Sequence, residues 1–182
     1  MLKQLLSLYK ISLILSVALA ILLISFTVET RPLQIAVIVL GSLLGSIVLD
    51  LDYFLHAYLL EPDADFSLNL KAYVLHHDFK GALSYLNTHK DEVKEKTLNS
   101  GLFQILLIGI LFLILYSTIN IFIKVFLLSL YANSIYKFAE NYFLHKSFED
   151  WFWFIKGTPK KEMVGGYIIL LLIFFFYFVY YF

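Results

Sequence analysis

Long apolar runs alternate with short polar breaks along most of the chain, and the breaks mark its elements more clearly than any amphipathic period does. Five runs approach the ~20 residues that a bilayer core requires of a helix: 11–28, 33–49, 102–117, 119–135 and 164–182. Glu29-Thr30-Arg31-Pro32 is a tight break, so the first two spans form a helical hairpin. Ser117–Asn120 makes a second tight turn between spans three and four. The pattern predicts an all-α, polytopic membrane bundle of about five transmembrane helices, with cytoplasmic and interfacial helices in 50–101 and 136–163. One domain covers 1–182.

Within those two segments the pattern is finer. Residues 53–60 are apolar and aromatic, and continue span two or lie along the membrane surface until Glu61-Pro62-Asp63 breaks the helix. Leu68–Leu75 and Ala82–Leu86 are short amphipathic stretches. Lys90–Lys96 is a mixed-charge helical face, with Glu92 and Lys96 in the favourable i,i+4 order. Ser147-Phe148-Glu149-Asp150 has the form of a capping box. It starts a short helix whose Trp151 and Trp153 suit the headgroup layer. In span two, Gly41 and Gly45 form Gly-x-x-x-Gly, a close-packing motif.

Composition agrees: 60% of the residues are hydrophobic and 15% charged, too apolar a balance for a soluble domain of this size. The formal net charge is zero and no basic stripe is interleaved with aromatics, so nothing points to nucleic acid. The absence of cysteine excludes disulfides, thiolate metal sites and cysteine nucleophiles. Lys3 and Lys10 before an apolar run imitate a secretory signal, but Ile11–Val28 ends in Glu-Thr-Arg-Pro rather than a small-residue cleavage site, and reads as a retained anchor.

Charge sets the expected orientation. Lysines crowd the segment before span one, the 50–101 segment and the stretch between spans four and five, leaving Arg31 and Lys124 toward the other face. The expectation is an inner-membrane protein with its N-terminus in the cytoplasm and its C-terminus outside. All five histidines (His56, His76, His77, His89 and His145) and both Asp50 and Asp52 then fall on the cytoplasmic side.

Polar residues of three spans reach one depth there: Asp50 and Asp52 end span two, Asn99 and Ser100 precede span three, and Asn133 and Lys137 close span four. Ionisable groups at the hydrocarbon boundary are costly unless paired, hydrated or metal-bound. Asp52 and His56 also share a helical face at i,i+4.

"GSLLGSIVLDLDYFLHAYLLEPD" resembles the first motif of the membrane-bound metal-dependent hydrolases, a family of small LexA-regulated inner-membrane proteins. Their pattern is a glycine-containing span running into Pro-Asp-x-Asp-His, then a His-Ser pair opening a span, then His-x-x-x-Asp on another. The resemblance covers roughly 36–157. It places Leu49 at the family's proline and Tyr53 at its histidine, keeps Asp50 and Asp52, and sets Asn99, Asn133 and Lys137 at the remaining ligand positions. It implies an enzyme that hydrolyses an ester or phosphoester at the cytoplasmic membrane face with a hydroxide bound to zinc or manganese.

The substitutions leave two readings. In one, a metal is held by Asp50, Asp52 and His56, with His76 or His77 brought in from the loop. Adjacent histidines on one helix point about 100° apart, so both would not readily bind one ion. In the other no metal is needed: Lys137 supplies the positive charge and pairs with Asp50 or Asp52, braced by Asn99 and Asn133. The chain is then a degenerate relative serving as a scaffold or as a subunit that binds a protein partner or a second copy of itself. No serine-hydrolase elbow, zincin motif, P-loop or dinucleotide fingerprint occurs.

Overall fold

The computed structural model describes residues 10–89, 93, 97–144, 148, 151–152 and 159–182. Every regular element among them is helical: α1 (Lys10–Thr27), α2 (Pro32–Val48), α3 (Leu51–Leu55), α4 (Asp65–Leu75), α5 (Phe79–His89), α6 (Gly101–Leu115), α7 (Ile121–Phe143) and α8 (Lys161–Tyr180). A single π-helical turn, His56–Leu60, extends α3. Pro32 opens α2 because its missing N–H costs nothing in a first turn. Ser100 opens α6 by accepting the Phe103 N–H at 3.2 Å, and Asn120 opens α7 by accepting that of Phe122 at 2.9 Å.

A helix lies at each of the five expected spans, but they are not equivalent. Three are long and apolar enough to cross a membrane, α1 (18 residues), α7 (23) and α8 (20). A fourth qualifies if α2 and the Leu51–Leu60 helix, bent by 44° at Leu49–Asp50, count as one span. The fifth, α6, has 15 residues, about 22 Å at the α-helical rise against ~30 Å of hydrocarbon. Among the described residues, three to four helices are thus long and apolar enough to span, and the structure does not show the expected bundle of about five. The expected boundary at 135 also moves, because α7 continues without a break to Phe143.

α7 is the hub, packed against α1, α2, α6 and α8. Its closest neighbour is α2, along the small-residue face Gly41, Ser42, Gly45 and Ser46. A Cβ on Gly45 would lie 2.6 Å from Phe126 O, 2.7 Å from Ser129 Cβ and 2.8 Å from Leu130 N. Only hydrogen fits between these backbones. The main core lies around α7 and includes Leu23, Ile38, Leu107, Tyr131, Phe138 and Leu171. A second, smaller core joins α3, α4 and α5 through Ala57, Phe66, Leu70, Ala82 and Leu86.

Trp151, expected on an interfacial helix, is turned into the protein. It is 5% exposed and packs on Phe138 at 4.8 Å, while its carbonyl accepts the Gly101 N–H at 2.8 Å. Ser147, Glu149, Asp150 and Trp153 of the expected capping box and helix lie outside the described residues, as do Lys90–Glu92 and Lys94–Lys96. Val93, the apolar residue of that charged stretch, is buried in the smaller core.

Gly45→Ala is expected to lower detergent-solubilised stability by about 1–3 kcal/mol through overpacking against rigid backbone. Gly109→Ala, whose added Cβ meets nothing within 4 Å, should leave it unchanged or slightly higher. Thermal unfolding of the two variants in one detergent reads the difference. Equal midpoints would remove the close α2–α7 approach as a source of stability.

Candidate functional site

Asp50 sits where α2 stops and α3 begins, with its amide bonded back to Ile47 O at 3.0 Å and its side chain capping neither helix. The carboxylate is therefore free to reach across to α7. Lys137 Nζ donates to Asp50 Oδ1 at 2.5 Å, with the two side chains 22% and 21% exposed. A charge-assisted bond in so limited an opening to solvent is stronger than an exposed surface pair.

Asp52 is placed differently. It is 1% exposed and turns toward the segment that precedes α6. Its Oδ1 accepts the backbone N–H groups of Thr97 at 2.8 Å and Leu98 at 3.0 Å. Its Oδ2 accepts the Asn99 backbone N–H at 2.9 Å and the Asn99 side-chain amide at 3.0 Å. Three successive amides thus form an anion-binding nest around one carboxylate. A carboxylate has about four acceptor positions, and all four are used. Asn99 Nδ2 also donates to Leu49 O at 3.0 Å, the carbonyl left open where α2 ends. Ser100 completes the turn, donating to Thr97 O at 2.7 Å while capping α6.

Asn133 takes no part in the Asp50–Lys137 pair. One turn back along α7, its Nδ2 donates to Ser129 O at 2.9 Å and to Ser16 Oγ of α1 at 3.1 Å. Ser129 Oγ in turn donates to Ser42 O of α2. Beside it, Gln104 Nε2 donates to Ser134 Oγ at 3.1 Å, tying α6 to α7. These buried contacts form a polar ladder that sequence reading missed apart from Asn133. The available signal was Ser129, Asn133 and Lys137 at i, i+4 and i+8, one continuous face of α7.

The histidines go elsewhere. His56 is buried in the smaller core, its ring edge-on to Phe66 at 6.1 Å and its Nε2 3.7 Å from Glu61 Oε2. His76 and His77 are exposed where α4 ends, and His77 has a positive φ of 55° that turns the chain. Asp78 then caps α5 by accepting the Gly81 N–H at 2.9 Å. His-His-Asp is thus a helix-to-helix corner. His89 stacks on Tyr85 at 4.2 Å, and His145 lies outside the described residues.

Asp50, Asp52, His56, His76 and His77, named from the sequence as metal ligands, are accordingly dispersed among four environments. Among the described residues no three histidine, aspartate or glutamate side chains gather where they could hold a metal ion. The zinc or manganese that the resemblance implies does not fit the side chains as placed: Asp52 has no acceptor position left, and Asp50 faces an ammonium group. No protein-family model, curated protein or solved structure matches the chain.

Two outcomes test this geometry in unfolding experiments. In a double-mutant cycle, Asp50→Asn and Lys137→Met are expected to couple by about 0.5–3 kcal/mol; additive effects would show the pair is not formed. Asp52→Ala should destabilise more than Asp50→Ala, because it strands three backbone donors at ~1–3 kcal/mol each. The reverse order would contradict the nest.

Proposed function

We propose that the chain is a non-catalytic membrane subunit, a degenerate relative of the hydrolase family it resembles, serving as a scaffold or partner-binding element. In this reading a polar clasp stands where the family holds metal. Asp50–Lys137 ties the end of α2 to α7, and Asp52 with Asn99 ties α3 to the start of α6. The orientation that goes with it has the N-terminus and the clasp on the cytoplasmic side of the inner membrane and the C-terminus outside, following the lysine distribution.

The observation that carries the reading is the complete use of the Asp52 carboxylate by the amides of Thr97, Leu98 and Asn99. Hydrolysis by a bound hydroxide needs a metal with an open position and ligands with free lone pairs. The chain commits one aspartate to backbone and the other to lysine. Both arrangements join helices, which is what a rigid membrane scaffold requires.

Elemental analysis of protein purified in detergent without chelator tests it. The expected result is less than stoichiometric zinc or manganese, unchanged by Asp50→Ala or Asp52→Ala. Stoichiometric metal that either substitution removes would overturn the proposal and favour the hydrolase.

A further inference from the structure

α4 and α5 form a hairpin whose inner faces meet in the smaller core, yet their outer faces differ. α5 presents Lys80, Ser84 and Thr88 outward at i, i+4 and i+8, an ordinary water-facing stripe. α4 presents Leu68, Ala72 and Leu75 at i, i+4 and i+7, with Leu75 76% and Leu68 52% exposed. Its other side already buries Phe66 and Leu70. The exposed side of α4 thus carries an apolar stripe beside the polar Asp65, Asn69 and His76, the mixed character of a helix at a boundary between apolar and polar surroundings.

The chain leading into α4 indicates what covers its outer side. Along α2 the exposed apolar positions Leu40, Leu44 and Ile47 continue through the bend to Leu51, then to Tyr58 and Leu59 in the π-helical turn. The stripe that faces outward on an apolar span thus resumes at the foot of the hairpin, past the half-buried Phe54 and Leu55. Lys71 fastens the two parts together, its ammonium 5.5 Å from the centre of the Tyr58 ring and donating to Pro62 O at 2.8 Å. A lysine over a tyrosine beside exposed leucines is the chemistry of a membrane interface.

We infer that the α4–α5 hairpin is seated on the bilayer, with the Leu68–Ala72–Leu75 face of α4 in the headgroup–acyl boundary and the Lys80–Ser84–Thr88 face of α5 in water. The segment after α2 is then part of the lipid-contacting surface rather than a solvated loop. The proposal is independent of the Asp50–Lys137 clasp. It concerns the depth of α4, whatever chemistry the clasp does or does not perform.

The chain has no cysteine, so a single introduced thiol is the only one to label. Leu75→Cys, Leu68→Cys and Ser84→Cys, each carrying an environment-sensitive fluorophore, would be reconstituted into phosphatidylcholine nanodiscs with and without lipid bearing a nitroxide near the headgroup. The expected result is blue-shifted emission and at least twofold stronger quenching at positions 75 and 68 than at 84. Variants would be compared only where their unfolding midpoint matches the parent. Equal quenching at all three, with position 75 reacting with an aqueous thiol reagent as fast as 84, would overturn the proposal. So would efficient disulfide cross-linking of Leu75→Cys between chains without lipid quenching, which would assign the face to a second copy.

Discussion

A carboxylate removed from water must find donors, and Asp52 finds its donors in one short stretch of chain, three backbone amides and the Asn99 side chain. That single requirement organises the geometry at this end of the bundle. It brings Thr97–Asn99 against the start of α3 and sets Ser100 to cap α6. Asn99 also closes the carbonyl left where α2 ends. α6 is too short to fix its own level by hydrophobic length, so its position follows from this anchored start and from its packing on α7 and α8.

The same economy governs the bundle interior. Apolar helices in an apolar surrounding gain little from burying one another, so close approach and hydrogen bonds carry the specificity. Gly45 permits the approach of α2 to α7, and Ser129 then reaches the Ser42 carbonyl across the seam. Asn133 and Gln104 extend the contact to Ser16 of α1 and Ser134 of α7. Each of these bonds joins a different helix to α7, which makes α7 the common element of the fold.

Much of this architecture is legible in the residues. Helix locations follow from charge-free runs, and the Gly41–Gly45 spacing marks a packing face whose partner, α7, the sequence does not name. Helix length is less legible: α6 falls short and α7 overruns, because caps and tertiary contacts decide where a helix ends. Trp151 illustrates the limit. Its amphipathic neighbourhood reads as an interfacial helix, but the Phe138 ring and the Gly101 amide at the start of α6 hold it against the protein.

The sequence by itself determined that the chain is helical, where its apolar helices lie, and that Asp50, Asp52, Asn99, Asn133 and Lys137 are the polar groups near one end of the apolar runs. Spacing along a helix specifies a face and a height, and these residues have both. Only the tertiary structure decided which groups meet: Lys137 with Asp50, the 97–99 amides with Asp52, and Asn133 with two serines. The physical reason is that a partner's identity depends on the rotation of each helix and on where a loop's backbone donors point. Backbone N–H groups are common to nearly every residue, so nothing in the side-chain pattern distinguishes the three that form the nest.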